Sequence, residues 1–259
     1  MPDSTGQLLG LAERAARAGG AELLARADKI TGVEHKSSET DPVSDSDRAS
    51  ERAIVNLILA ARPADGVLGE EGADRPSASG VRWVIDPLDG TVNYLYGLPH
   101  STVSIACQRL GDDGWQTVAA VVHHPAREET FTAGLGRGAF LGDTPLAVNR
   151  PASLSRALVS TGFSYQATSR ARQAETLRTL LPAVRDIRSH GSAALELCWV
   201  AAGRCDGYYE DELALWDWAA GALIASEAGA AVAELGTGVV AVAPDLLDEL
   251  LARVSHSPS

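Results

Sequence analysis

The stretch Trp83-Val84-Ile85-Asp86-Pro87-Leu88-Asp89-Gly90-Thr91-Val92-Asn93-Tyr94 leaves a chain few ways to fold. Arg82 to Ile85 reads as a short strand, rich in the β-branched and aromatic residues that suit a pleated surface. Pro87 lacks a backbone donor and is expected to end that strand. Gly90 permits a tight turn, and Thr91 is placed to open a helical turn. Two carboxylates, Asp86 and Asp89, are thereby set on a rigid bend beside the N–H groups that a helix start leaves free. Carboxylates recruit a hard cation such as Mg2+. Free N–H groups at a helix start recruit phosphate. The two together are what metal-assisted hydrolysis of a phosphate ester requires.

Asp-Pro and Asp-Gly are also ordinary turn pairs, so the reading depends on what else converges there. Glu70 and Glu71 end a second short strand, Gly66 to Gly69. Two neighbouring strands ending at one sheet edge would crowd four carboxylates, which is unfavourable unless cations offset them. Asp217 lies between Trp216 and Trp218 at the start of an apolar helix. There it is expected to cap the helix or meet a cation, and one carboxylate can serve both. Asp41, Asp45 and Asp47, with Ser44, form a further acidic loop, with Asp45 or Ser46 expected to cap the following helix. Lys36 alone reads as a solvated loop lysine. His123 and His124 are adjacent on a strand, point to opposite faces and are poor co-ligands, so a structural role is expected. His35, His100, His190 and His256 show no ligand spacing. No Gly-x-Ser-x-Gly, Walker or dinucleotide motif is present.

Taken in order, the chain predicts a first helix to about Ala27, capped by Asp3 or Ser4, with Gly19-Gly20 marking a kink or close packing. Thr31 to Asp47 is a polar loop or loose hairpin. A helix from about Asp47 to Ala61 buries Ile54, Leu57 and Ile58. After the Gly72 to Gly80 loop and the Asp86 strand come antiparallel strands Thr102 to Leu110 and Thr117 to Val122, then Glu129 to Ala133 and Ala139 to Leu141. Beyond Pro151, strands at Leu158, Ile187 and Gly207 to Glu210 alternate with helices from Ser169, from Gly191-Ser192 and from Leu215 to Glu227. Short strands at Ala231 to Ala233 and Val239 to Val242 precede a last helix, Pro244 to Val254. This mixture of α+β and α/β character predicts an N-terminal half, 1–150, carrying most of the acidic cluster. A C-terminal α/β half, 151–259, carries Asp217, and the site lies between them.

Composition narrows the partners. A net charge of −12 with no basic patch argues against nucleic acid and anionic membranes. The three cysteines, Cys107, Cys198 and Cys205, sit in apolar surroundings and are expected to be reduced and buried. Met1 to Gly10 holds no basic segment followed by an apolar core, and no apolar run reaches membrane-spanning length, so a cytoplasmic protein is expected.

Jointly, these residues resemble the inositol monophosphatase family. The resemblance rests on Glu70-Glu71, on Asp86-Pro87-Leu88-Asp89-Gly90-Thr91, and on Trp216-Asp217 before a helix ending Glu227-Ala228-Gly229. Lys36-Ser37-Ser38, Asp41-x-Val43-Ser44-x-x-Asp47, Gly191-Ser192-Ala193-Ala194 and Tyr208-Tyr209-Glu210 add to it, over roughly residues 8 to 233. Ser44 stands where threonine is usual, and Ala230 where a second glycine is. The resemblance implies a layered αβαβα sandwich of the inositol monophosphatase and fructose-1,6-bisphosphatase superfamily, a homodimer, and a lithium-sensitive phosphomonoesterase. It implies two to three Mg2+ ions held by Glu70, Asp86, the Leu88 carbonyl, Asp89 and Asp217. Gly90 and Thr91 would contact the phosphate, and Asp47 with Thr91 would orient a water, Glu70 assisting. Glu71 and Lys36 would support these from behind. Glu210, Ser192, Ala193 and Asp89 would face the alcohol. Inositol 1-phosphate is the expected substrate, with histidinol phosphate or fructose 1,6-bisphosphate as alternatives. A metal- or phosphate-binding protein without turnover is a remote one.

Overall fold

A capping box starts the first helix, α1 (Thr5–Arg26): the Ser4 hydroxyl accepts the Gln7 N–H at 3.3 Å and the Gln7 side chain accepts the Ser4 N–H at 2.8 Å. The protein is described here by a computed structural model covering residues 4–36 and 42–255, with backbone alone for residue 35. The expectations on Asp3, Ser37, Ser38, Asp41 and His256 lie outside the described residues. α1 runs unbroken through Gly19-Gly20. A Cβ at Gly19 would lie 2.7 Å from Ile54, and one at Gly20 would lie 2.6 Å from His123. Close packing, not a kink, explains the glycine pair.

The polar segment forms a small hairpin, β1 (Glu34–His35) against β2 (Pro42–Val43). It leads into α2 (Asp45–Ala61), which is capped by Ser44 and not by Asp45 or Ser46, both of which are already helical. The Ser44 hydroxyl accepts the Ser46 N–H at 3.2 Å, and Asp47 returns a carboxylate to the Ser44 N–H at 2.8 Å. That reciprocity is what selects Ser44 among three capable side chains.

The first sheet contains β3 (Gly66–Gly69), β4 (Asp74–Arg75), β5 (Val81–Asp89), β6 (Thr102–Gly111), β7 (Gly114–His124), β8 (Glu129–Gly134), β9 (Ala139–Leu141) and β10 (Thr144–Pro145). Its eight strands run in the order β10-β9-β8-β7-β6-β5-β3-β4, antiparallel except for the β3–β5 pair. Alternation along β5 feeds two cores. Trp83 and Ile85 pack beneath α1 and α2, whereas Val84 points to the opposite face. Pro87 does not end this strand. Asp86 pairs with Ser104 and Asp89 with Thr102, so one extra residue bulges out, and the proline occupies the place where no donor is needed.

After the short α3 (Thr91–Leu95), the second sheet comprises β11 (Leu158–Thr161), β12 (Asp186–Arg188), β13 (Gly207–Glu210), β14 (Ala231–Leu235) and β15 (Gly238–Val242). Its order is β12-β11-β13-β15-β14. α4 (Ala167–Leu180) and α7 (Leu247–Val254) cover its outer face through Leu180 and Leu250. α5 (Ala193–Ala201) and α6 (Leu215–Glu227) fill the space between the two sheets. Every residue of α5 is buried, as expected of a helix apolar all round. The layers therefore read α1/α2, first sheet, α5/α6, second sheet, α4/α7, which is the expected αβαβα sandwich. No helix among the described residues is long and apolar enough to cross a membrane.

The three cysteines are buried free thiols, and burial pushes Cys107 up to about 12 and Cys205 up to about 11, far from nucleophilic use. His123 meets Thr130 at 2.9 Å and His124 meets the Pro99 carbonyl, both as buried structural groups.

Candidate active site

Asp86 sits at the β5 bulge, 2% exposed, its Oδ1 accepting the Leu88 N–H at 2.9 Å. The same turn is braced from α2, where Ser50 donates to the Pro87 carbonyl at 2.8 Å. Gly90 follows with φ 87°, and a Cβ there would lie 2.7 Å from the His100 carbonyl. Glycine is thus required by both conformation and space. Asp89 is gripped from α5: the Ser192 hydroxyl donates to its Oδ2 at 2.6 Å and the Ala194 N–H donates to the same oxygen at 2.8 Å.

The parallel β3–β5 pair brings the second acidic pair alongside, with the Glu70 N–H donating to the Ile85 carbonyl at 3.1 Å. Lys36 Nζ bonds Glu70 at 2.8 Å and also pairs with Glu71, so it is not the solvated lysine that its loop position suggests. Asp217 arrives from the first turn of α6, where its Oδ2 accepts the Ala214 N–H at 2.7 Å. It caps its helix and faces the cleft at once. Glu70, Asp86, Leu88, Asp89 and Asp217 line one cleft of about 300 Å³. Gly90, Thr91, Ser192, Ala193 and Glu210 line it too.

Behind the cleft, Asp47 is fully buried. Its Oδ2 accepts from the Ser44 N–H at 2.8 Å and the Ser44 hydroxyl at 2.6 Å, which leaves Oδ1 3.2 Å from Thr91 Oγ1. Thr91 Oγ1 also lies 3.0 Å from the Leu88 carbonyl, so one hydroxyl proton serves two acceptors.

Burial, then the charges of Glu70, Asp89 and Asp217, hold the Asp86 carboxyl well above its ordinary range. Burial, then Asp89 and Glu70, does the same for Asp217. Asp89 is raised by burial, and the Ser192 and Ala194 hydrogen bonds pull it only partly back. Asp47 is raised by burial against the Ser44 bonds. Burial lifts Glu71 to about 7 and Glu210 to about 8. Among the described residues, no three or more His, Cys, Asp or Glu side chains are drawn together tightly enough to hold an ion as they stand. The donor chemistry nonetheless fits a hard divalent cation. Four carboxylates and a carbonyl supply only oxygen, and their mutual repulsion leaves a deficit of positive charge that Lys36 alone does not fill.

Two residues were missed from the sequence. Glu51 on α2, 7% exposed, accepts the Glu71 N–H at 2.9 Å and the Ala73 N–H at 3.2 Å and so shapes the turn that presents Glu70. Its signal was its place one turn after Asp47 on the face that buries Ile54 and Ile58. Asn93 donates to the carbonyls of His100 at 2.8 Å and His190 at 2.6 Å, tying α3 to the segment before α5. No local pattern announces that pairing.

Comparison with known proteins agrees with this geometry. An inositol-1-monophosphatase SuhB of Mycobacterium tuberculosis (strain H37Rv) is 45% identical over 240 residues, covering 86% of this chain and 81% of that protein. A relative from Pasteurella multocida named Nus factor SuhB is 39% identical over 258 residues, covering 95% of each. The crystal structure of extragenic suppressor protein suhB from Bartonella henselae superposes with a TM-score of 0.88 at 34% identity, covering 96% of this chain and 98% of that one. The sequence matches the inositol monophosphatase family over residues 6–256, and the chain belongs to that family.

Proposed function

We propose that this protein is a Mg2+-dependent phosphomonoesterase that releases inorganic phosphate from inositol 1-phosphate. The observation that carries the reading is the convergence of Glu70, Asp86, Asp89 and Asp217 on the cleft that also holds Thr91, backed by Asp47. Membership in a family of phosphatases supports the reaction class. Mg2+ in two to three places would be held by Glu70, Asp86, the Leu88 carbonyl, Asp89 and Asp217. When bound, it would supply charge to the phosphate and make a water easier to deprotonate.

The chain's own groups do the rest. Gly90 and Thr91, at the start of α3, present N–H groups to the phosphate. Thr91 Oγ1 takes a proton from the attacking water as it gives its own to Asp47 Oδ1, and the departing alcohol oxygen takes a proton from water in the open cleft. Burial raises the proton affinity of Asp47, which suits it to receive the Thr91 proton. Glu70 lines the same cleft and is held by Lys36, which also pairs with Glu71. Ser192 and Ala193 line the side where the alcohol leaves, and Glu210 offers a carboxylate oxygen to its hydroxyls. The assembly proposed is a cytoplasmic homodimer.

Phosphate release from inositol 1-phosphate, histidinol phosphate and fructose 1,6-bisphosphate, with Mg2+ and with chelator, tests this directly. Hydrolysis of the inositol ester only with Mg2+ is the expected result, and inertness toward every ester would remove the enzymatic reading. The Pasteurella relative's name makes a binding role without turnover the second reading, and that inertness is what it predicts. Thr91→Val is expected to lower kcat about a hundredfold or more, with Thr91→Ser restoring most of it. Equal losses in the two variants would mean that the hydroxyl carries no proton.

A further inference from the structure

A second hollow, open and of about 270 Å³, shares a wall with the catalytic cleft but no lining residue. The wall is the segment 188–191. Ser189 and Gly191 line the cleft, whereas Arg188 and His190 line the hollow. Arg188 ends β12, the edge strand of the second sheet. Arg127 enters from the turn Pro125–Arg127 after β7, and Arg204 from the segment that follows α5. Trp199 on α5 lines the same space. Arginines so far apart in sequence form no basic run, and in a chain of net charge −12 nothing local announces that they meet.

Among the described residues that line this hollow there is no Asp or Glu. Three acids hold its cations from outside. Glu129 accepts both terminal nitrogens of Arg204, at 2.8 and 2.6 Å, and Asp186 accepts one from Arg188 at 2.6 Å. Glu196 accepts the His190 N–H at 2.8 Å and meets its Nδ1 at 2.9 Å. The charges nearly balance, but the signs are separated: cations face the space and carboxylates do not. Donors are also left over. Arg188 uses only Nη1, Arg204 keeps Nε, and the Arg127 guanidinium has no ion pair or hydrogen bond among the described residues. Trp199 is 7% exposed, and its buried Nε1 finds no acceptor among them. A wall with spare N–H groups and no carboxylate calls for an occupant rich in acceptors and negative in charge.

We propose that this hollow binds a tetrahedral oxyanion of the phosphate or sulfate class, separately from the catalytic cleft. Guanidinium groups arriving from three segments suit an anion whose oxygens point in several directions. A carboxylate offers two oxygens in one plane and would leave at least one arginine unserved. The space falls just short of the roughly 300 Å³ at which pockets for larger organic ligands begin, which suits one such group.

The test is calorimetric binding of inorganic phosphate, sulfate and acetate to the full chain, stripped of metal with chelator and then dialysed, at constant ionic strength. Without cations the carboxylates of the catalytic cleft repel phosphate, so the titration reads the hollow. One phosphate per chain is expected, with Kd below about 1 mM, sulfate competing and acetate not. Arg127→Ala and Arg188→Ala should each weaken it by at least about tenfold, and Arg127→Lys by less than Arg127→Ala. Both arginines are exposed, and their loss should leave Mg2+-dependent turnover within about twofold. Glycerol 2-phosphate separates the two sources of such a group: its binding extends the site to esters, its exclusion confines the site to the free ion, and either sustains an oxyanion site. No phosphate binding, equal binding by the wild type and both alanine variants, or acetate bound as tightly as phosphate would overturn the proposal. A wild type that binds no phosphate, joined to an Arg127→Ala variant that sediments as a smaller species, would give this face to a second copy of the chain instead. The titration uses neither Mg2+ nor an ester substrate, so failure of the phosphatase reading is seen separately.

Discussion

Asp86→Asn is expected to reduce phosphomonoester turnover by about three orders of magnitude while making the metal-free protein more stable. The opposite signs follow from one cause. Asp86 is buried and its carboxyl is pushed up by its surroundings and by three neighbouring carboxylates, so its charge is unfavourable when no cation offsets it. Asparagine keeps an oxygen for the Leu88 N–H, and with it the turn around Pro87, but removes the charge. Melting at pH 8 in chelator should therefore rise by roughly 2–6 °C, a shift that relief of a buried repulsion of this kind can supply. An ordinary structural aspartate would give the reverse: loss of activity together with a fall in melting temperature. Near-normal turnover by Asp86→Asn at saturating Mg2+ would dismiss the assignment of this carboxylate to the metal.

Much of this site is legible because local chemistry signals it. The runs Gly66 to Gly69 and Arg82 to Ile85 are strands by composition, and each ends in acids, which is where a sheet edge collects them. Asp217 between two tryptophans is a charge in an apolar setting and demands a partner. What stays hidden depends on contacts across the fold. The strand length of β5 is misjudged because a missing donor at Pro87 reads as a stop, whereas a bulge opposite Ser104 and Thr102 makes the donor unnecessary. The α2 cap is misplaced at Asp45 or Ser46 because the carboxylate that Asp47 returns to Ser44 is seen only once the helix start is folded. Lys36 looks solvated because Glu70 and Glu71 are remote in sequence, and Glu51 looks like one more helical acid until the Glu71 and Ala73 N–H groups are found on it.

The response of stability to pH is expected to reverse when Mg2+ is added. In the metal-free protein, Glu210 is raised to about 8 and Glu71 to about 7, and Asp86, Asp89 and Asp217 are raised as well. In the unfolded chain these groups titrate near 4. Between about pH 4 and 8 the folded state therefore binds more protons than the unfolded state, and stability falls as pH rises. The contribution is fully present below the unfolded values and is lost as pH climbs through 7 and 8. Glu210, raised chiefly by burial, accounts for on the order of 2–4 kcal/mol after allowance for its partial exposure. His123 works in the other direction. Burial lowers it to about 4, so its contribution is present above about 6.5 and is lost as pH falls toward 4. Without metal, five raised carboxylates outweigh His123, so stability should decline from about pH 5 to pH 8.5. Mg2+ binds the deprotonated carboxylates, so its stabilising effect grows over the same interval, adding about 3 kcal/mol at a hundredfold excess over Kd. Denaturant titrations at pH 5.5, 7 and 8.5, in chelator and in Mg2+, read both slopes. Glu210→Gln should flatten the metal-free decline yet leave the Mg2+ increment in place, because the role proposed for Glu210 is toward the alcohol and not the ion. A Mg2+ increment equal at all three pH values would mean that these carboxylates are not the ones the cation meets.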